Sequence, residues 1–225
     1  MTHALLIVEG AHDASFFGHL ARMRGYRAVR TMSEMPEFWR PLIPTRYPVD
    51  DAGNLDRVIP FPEVHTDPGS NTLGVIVAGG DSRLVEGLRI PLERLGTGSF
   101  TGIGIALDTD LAYSARERFD SIVAKLVALN RDAVGEGVPG FPLPLPTSPG
   151  PVKRGSREIG IHQFPDNVRQ GSLETVLLEL RPSVIHNWNV PPVCWFATST
   201  ARRRRVSRPC DVSEARRVIP RNKPG

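Results

Sequence analysis

Cysteine is nearly missing from this chain: positions 194 and 210 hold the only two in 225 residues, so no disulfide framework is expected. Apolar runs stay under ten residues, too short to cross a bilayer. The opening Met1-Thr2-His3 has neither the positive n-region nor the long apolar stretch of a secretory signal, and the expected compartment is the cytoplasm. His12, His65 and His162 are isolated, with no partner at metal-ligand spacing, so a histidine-based metal site is not expected. A basic body is also lacking. From Ala201 onward nine Lys/Arg stand against two Asp/Glu, whereas the first 200 residues hold 19 basic and 22 acidic side chains. The overall charge of +4 therefore belongs to the tail. With 40% hydrophobic residues, the chain can bury one good core with room for an insertion.

What the chain does have is a pair of apolar runs that end in carboxylate. Leu5-Leu6-Ile7-Val8 runs into Glu9-Gly10, and Gly104-Ile105-Ala106-Leu107 runs into Asp108-Thr109-Asp110. A buried strand delivers the residues after its last position to a sheet edge, where α/β proteins place their ligands. If the strand continued through Asp108 and Asp110, both side chains would leave on the same side. Three carboxylates brought together repel one another unless a cation joins them, which points to a divalent metal, Mg²⁺ or Mn²⁺.

Strand and helix patterns alternate along the chain. Ala4–Val8 reads as a strand and residues 11–24 as a helix carrying Phe16, Phe17, Leu20 and Met23, with a second strand starting at Tyr26. Prolines at 36, 41, 44, 48, 60, 62 and 68 break any period across an irregular insertion of about residues 32–71, with a short hairpin expected around Asp51 to Asn54. Leu73–Ala78 is a buried-strand run followed by Gly79-Gly80, and a helix with Leu84, Leu88, Leu92 and Leu95 on one face comes next. After the second acidic strand, Ser114 with Glu117 forms a capping box for a helix whose stripe is Phe119, Ile122, Val123, Leu126 and Val127. Residues 131–156 read as a Gly/Pro-rich loop, Arg157–Phe164 as a last short strand, alternating in character and at an edge, and Gly171–Leu180 as a short helix. The expected fold is a doubly wound α/β domain over residues 1–182, its mostly parallel sheet flanked by helices. Residues 183–225 have neither period; their composition suits non-native, out-of-frame text or a flexible basic arm that meets phosphates without sequence preference.

Val8-Glu9-Gly10 with Asp13, Phe16 and Phe17, the Asp108-Thr109-Asp110 strand end, Pro165-Asp166-Asn167, and Gly171-Ser172-Leu173-Glu174 together resemble the Toprim superfamily across roughly residues 3–180. That superfamily includes topoisomerase, primase and OLD-type nuclease domains and small bacterial Toprim-like proteins. The resemblance implies a Toprim-like, Rossmann-like sheet and a nuclease acting on DNA or RNA. Asp108 and Asp110 would hold Mg²⁺, and Glu9 would act as the acid/base or complete the metal site. It further suggests Asp13, Asp166 and Glu174 as auxiliary or second-metal groups.

Each residue also has a plainer account. Glu9 and Asp13 suit a helix entry, where the dipole favours acids, and the same holds for Glu174. Asp108 and Asp110 would serve as helix-capping acids. Gly79 and Gly80 form either a phosphate-binding nest or simply a tight turn. Other functions stay open. A non-catalytic Toprim-like module would bind a partner protein or a nucleotide, with the aromatic and proline-rich stretch 36–62 as its contact surface. A phosphotransferase of the haloacid dehalogenase type also ends a strand in DxD, but there the motif lies near the N-terminus and a Thr or Val stands where this chain has Ala112. A nuclease needs positive charge near its metal, and Arg22, Arg24, Arg27 and Arg30 are the one basic cluster outside the tail.

Overall fold

The computed structural model describes residues 1–44, 61–150 and 159–180. The expected hairpin near Asp51, both cysteines and the basic tail lie outside the described residues.

Six strands form one sheet. Strands β1 (His3–Val8), β4 (Thr72–Val77), β5 (Gly102–Asp108) and β6 (Ile159–Phe164) run parallel, and β2 (Arg27–Ala28) and β3 (Glu63–Thr66) add an antiparallel edge, in the order β2-β3-β4-β1-β5-β6. β1 lies at the centre, with Val8 opposite Val77 on one side and Ala106 on the other, so Glu9 leaves the middle of the carboxyl edge. Successive side chains of β1 supply both faces. Leu5 and Ile7 pack under helices α2 (Glu86–Leu95) and α3 (Ala115–Gly135), while Leu6 and Val8 pack under α1 (Ala11–Met23) and α4 (Leu173–Glu179). Both faces are therefore covered, which is why the central strands read as unbroken apolar runs. The α/β class and the mostly parallel sheet are as the sequence predicts. No described helix is long and apolar enough to cross a membrane.

The insertion is less irregular than expected. Within it lies β3, whose four residues are too few and too close to prolines to show a period. Its turn of 3-10 helix, Glu37–Leu42, is locked to the sheet by Trp39, which is fully buried and donates its indole N–H to Thr72 Oγ1 (2.8 Å). The indole lies against Gly74, where a Cβ would come within 2.5 Å of the ring. Trp39 and Leu42 are thus core, and are not available for the partner surface expected at 36–62; residues 45–60 of that stretch lie outside the described residues.

Two further expectations are corrected. α3 continues to Gly135 through Ala133, which is buried, so the loop begins after residue 135. Part of that loop is tied down: Asn130 on α3 donates to the Leu143 carbonyl and accepts from its amide (2.8 and 2.9 Å). β6 is an edge strand, as expected, but it does not alternate, because helices and this loop bury both its faces.

Candidate functional site

Glu9 follows β1 and Asp108 ends β5, on neighbouring central strands. Here α1 departs to one face of the sheet and α3 to the other, the arrangement that opens a crevice at the carboxyl edge. Of the acids predicted from the sequence, Glu9, Asp13, Asp108, Asp110 and Glu174 lie at this edge, where they fall into two groups, and Asp166 does not join them.

The first group is Asp108, Asp13 and Glu174. Asp108 Oδ1 accepts the Leu173 amide at the start of α4 (3.0 Å). Burial, only partly offset by that amide, raises the Asp108 carboxyl to about 6, with the charges of Asp13, Glu9 and Glu174 pushing the same way. Asp13 is buried in the first turn of α1 and accepts the Gly10 amide (2.9 Å), so it closes that helix as well as facing the site; burial raises its carboxyl too. Glu174 stands at the exposed rim, 3.7 Å from the His12 ring, and its hydrogen bond with Ser172 lowers its carboxyl.

The second group is Glu9, Asp110 and Asp81, gathered around Arg118. The strand does not continue through the DxD. Thr109 is buried and donates its hydroxyl to the Phe164 carbonyl of β6 (2.8 Å). Asp110 then takes a left-handed conformation (φ 57°), its amide donating to the Gly171 carbonyl (3.2 Å). The two acids therefore do not leave on one side as alternation required. Asp110 Oδ2 and Glu9 Oε2 each lie 3.7 Å from Arg118 Nη2, while Arg118 Nη1 contacts Asp81 Oδ2 at 2.6 Å and Arg118 Nε donates to the Asp108 carbonyl (3.2 Å). Burial raises the Glu9 carboxyl, and the Arg118 charge works against it. Lys125, two turns further along α3, lies 3.6 Å from Asp81.

Three expected roles fail. The amides of Gly79 and Gly80 both donate to the Glu9 carbonyl (3.1 and 3.2 Å), so they make a turn fixing Glu9 and not a phosphate nest. Asp166 is consumed by its own turn, accepting from the amides of Val168 and Arg169 and from the Arg169 side chain. It gives no second-metal ligand. The arginines at 22, 24, 27 and 30 follow α1 and β2 toward the amino end of β1, away from the acids. A cavity of about 530 Å³ opens at that end, lined in part by Arg27, Glu34, Thr66 and Asp67, and it brings no acid cluster together.

Arg118 and Asp81 were missed. Asp81 obeys the rule that found the others, an acid just past the carboxyl end of an apolar strand. Arg118 gives a weaker signal: a charge inside the first turn of a helix, one residue before its buried stripe.

Mg²⁺ favours hard oxygen donors, and this donor set provides them. Glu9 Oε2 and Asp81 Oδ1 are buried without a hydrogen-bond partner, though each already faces a side-chain cation, Arg118 at 3.7 Å and Lys125 at 3.6 Å. As placed, however, no three acids, imidazoles or thiols among the described residues stand close enough to hold an ion, because the guanidinium lies between them.

Residues 3–189 match the family described as "Protein of unknown function (DUF3226)". The chain belongs to that family. A solved structure similar to this member of the family is the hypothetical protein PH0156 from Pyrococcus horikoshii OT3, at 18% identity, covering 83% of this chain and 70% of that one with a TM-score of 0.43. No curated protein matches the chain.

Proposed function

We propose that this protein is a divalent-metal-dependent phosphodiester hydrolase of the Toprim kind, acting on DNA or RNA in the cytoplasm. The observation that carries the reading is that Glu9 and Asp108 end two neighbouring central strands, with Asp110 sharing the Arg118 guanidinium with Glu9, and that Glu9 and Asp108 are both raised above the usual carboxylate range. Groups tuned in this way cluster at functional sites.

Asp108, Asp110 and Glu9 would hold Mg²⁺ or Mn²⁺, which when bound supplies positive charge for a phosphate and lowers the pKa of a water. Asp108 is positioned by the Leu173 amide and Thr109 by the Phe164 carbonyl, so the strand end is fixed from β6 and α4. Glu9, half-buried and with Oε2 in no hydrogen bond, is suited to take up or release a proton at that atom.

The test is Mg²⁺ and Mn²⁺ calorimetry on wild type and on Asp108→Ala/Asp110→Ala, with plasmid and RNA cleavage in the same samples. Binding and cleavage present in wild type and both lost in the variant are expected. Absence of metal binding in wild type sinks the reading. The Arg118 ion pairs favour a second reading, a non-catalytic module whose acids form a structural network. On that reading the double variant loses stability and no metal-linked property.

A further inference from the structure

Arg118 is the most buried cation of the site, with 5% of its surface exposed. Two of its nitrogens are anchored, Nε on the Asp108 carbonyl and Nη1 on Asp81. The third, Nη2, is buried and has no hydrogen-bond partner, and it faces Glu9 Oε2 and Asp110 Oδ2 at 3.7 Å each, beyond hydrogen-bond reach of either. Glu9 Oε2 is orphaned in the same way. A guanidinium held like this acts on the two acids through its charge and not through directed bonds.

Its anchoring determines which acids it serves. Glu9, Asp110 and Asp81 share its charge, whereas among the described residues no ion pair reaches the carboxylates of Asp108 or Asp13, and Glu174 faces the exposed His12 ring at 3.7 Å. The DxD is therefore split between a neutralised half and an unneutralised one. An ion that engages Asp108 together with Glu9 and Asp110 must draw the last two away from a fixed positive charge, and like charges at this range repel strongly in a partly buried site.

We propose that Arg118 is a resident counter-cation that competes with the divalent metal for Glu9 and Asp110. It keeps the acids charged and the fold stable while no metal is bound, and it holds metal affinity low. The inference rests on the metal-site reading above and adds a regulator to it.

The experiment compares wild type, Arg118→Met and Arg118→Lys by Mn²⁺ calorimetry and by thermal melting in EDTA and in Mn²⁺. Methionine keeps much of the buried stem and removes the charge; lysine keeps the charge but cannot fork between carboxylates. Mn²⁺ affinity should rise about ten-fold or more in Arg118→Met, by the size of a unit-charge interaction at this range. Arg118→Lys should fall between Met and wild type. The metal-free melting temperature of Arg118→Met should drop, and its rise on adding Mn²⁺ should exceed that of wild type. Equal affinity in all three proteins overturns the proposal and leaves the metal site standing. Metal binding by wild type that is lost in Arg118→Met also overturns it, making the arginine a support for the ligands. Binding by none of the three removes both readings together. If Arg118→Met does not fold, Arg118→Lys decides: increased affinity supports the competition, and unchanged affinity overturns it.

Discussion

The carboxyl of Asp108 ends β5 among other acids, with a backbone amide and, among the described residues, no ion pair to hold its charge. Its folded value, about 6, lies above the 3.8 of an unhindered aspartate, so at neutral pH the native state carries a charge the unfolded chain tolerates better. Asp108→Asn keeps an oxygen for the Leu173 amide and removes that charge. In EDTA at pH 7 it should stabilise the fold by on the order of 2 kcal/mol, which is 1.36 kcal/mol per pKa unit reduced for the solvent screening of a half-buried carboxylate. A lower melting temperature than wild type would refute the electrostatic account of this residue. His162 shows the opposite sign. Burial lowers its ring from 6.5 to about 4, so between those values the unfolded chain binds the extra proton and stability rises with pH. Urea unfolding of wild type and His162→Gln across this window should show wild type gaining on the variant as pH increases; a pH-independent difference would exclude burial of a neutral ring as the cause.

At the scale of elements, one small contact holds the insertion on the sheet and another holds the strand end at the site. Gly74 leaves the groove in β4 into which Trp39 fits, and through it the whole 3-10 segment docks on the sheet. Gly74→Ala should cost about 1–3 kcal/mol, the usual range for overpacking a tight core, measured by chemical denaturation. A neutral result would show that the indole can give way. The strand end depends on Thr109, whose hydroxyl ties β5 to the Phe164 carbonyl, while the Phe164 ring packs against Phe16 and Phe17 of α1. Thr109→Val preserves shape and removes the hydrogen bond, so a loss of about 1 kcal/mol is expected. If Asp108 and Asp110 form the metal site, Mn²⁺ affinity should fall as well, because the left-handed turn at Asp110 is set from this point. A stability loss with unchanged affinity would separate the turn from the site.

For the whole molecule, the doubly covered sheet places Glu9 and Asp108 side by side with helices leaving to opposite faces, and ligand binding there is linked to folding. A metal that binds only the native state at one hundred times its Kd should add about 2.7 kcal/mol to stability. Thermal melts against Mg²⁺ concentration should follow that curve, and a flat response would argue against the site. If the site holds a metal and acts on a polyanion, its acidic surroundings would make that polyanion's approach depend on the ion as well.

Much of this architecture was already readable in the chain. Leu5 to Val8, Leu73 to Val77 and Ile103 to Leu107 are apolar without a break because a parallel sheet is covered on both faces, and burial of that kind leaves a local trace. Ser114 and Glu117 announced α3 because a capping box is a contact between residues three apart. The same locality pointed to Glu9 and Asp108. The sequence did not reveal β3, too short for a period, or the packing of Trp39 on Gly74, a contact 35 positions apart. Nor could it show that Gly79 and Gly80 spend their amides on Glu9, that Asp110 turns away from Asp108, or that Arg118 comes to lie among Glu9, Asp81 and Asp110. Those pairings join segments from four different loops and helices. Chain order alone fixes which side chains are apolar and where elements start, while only the assembled sheet and its helices decide which charges end up within 4 Å of one another.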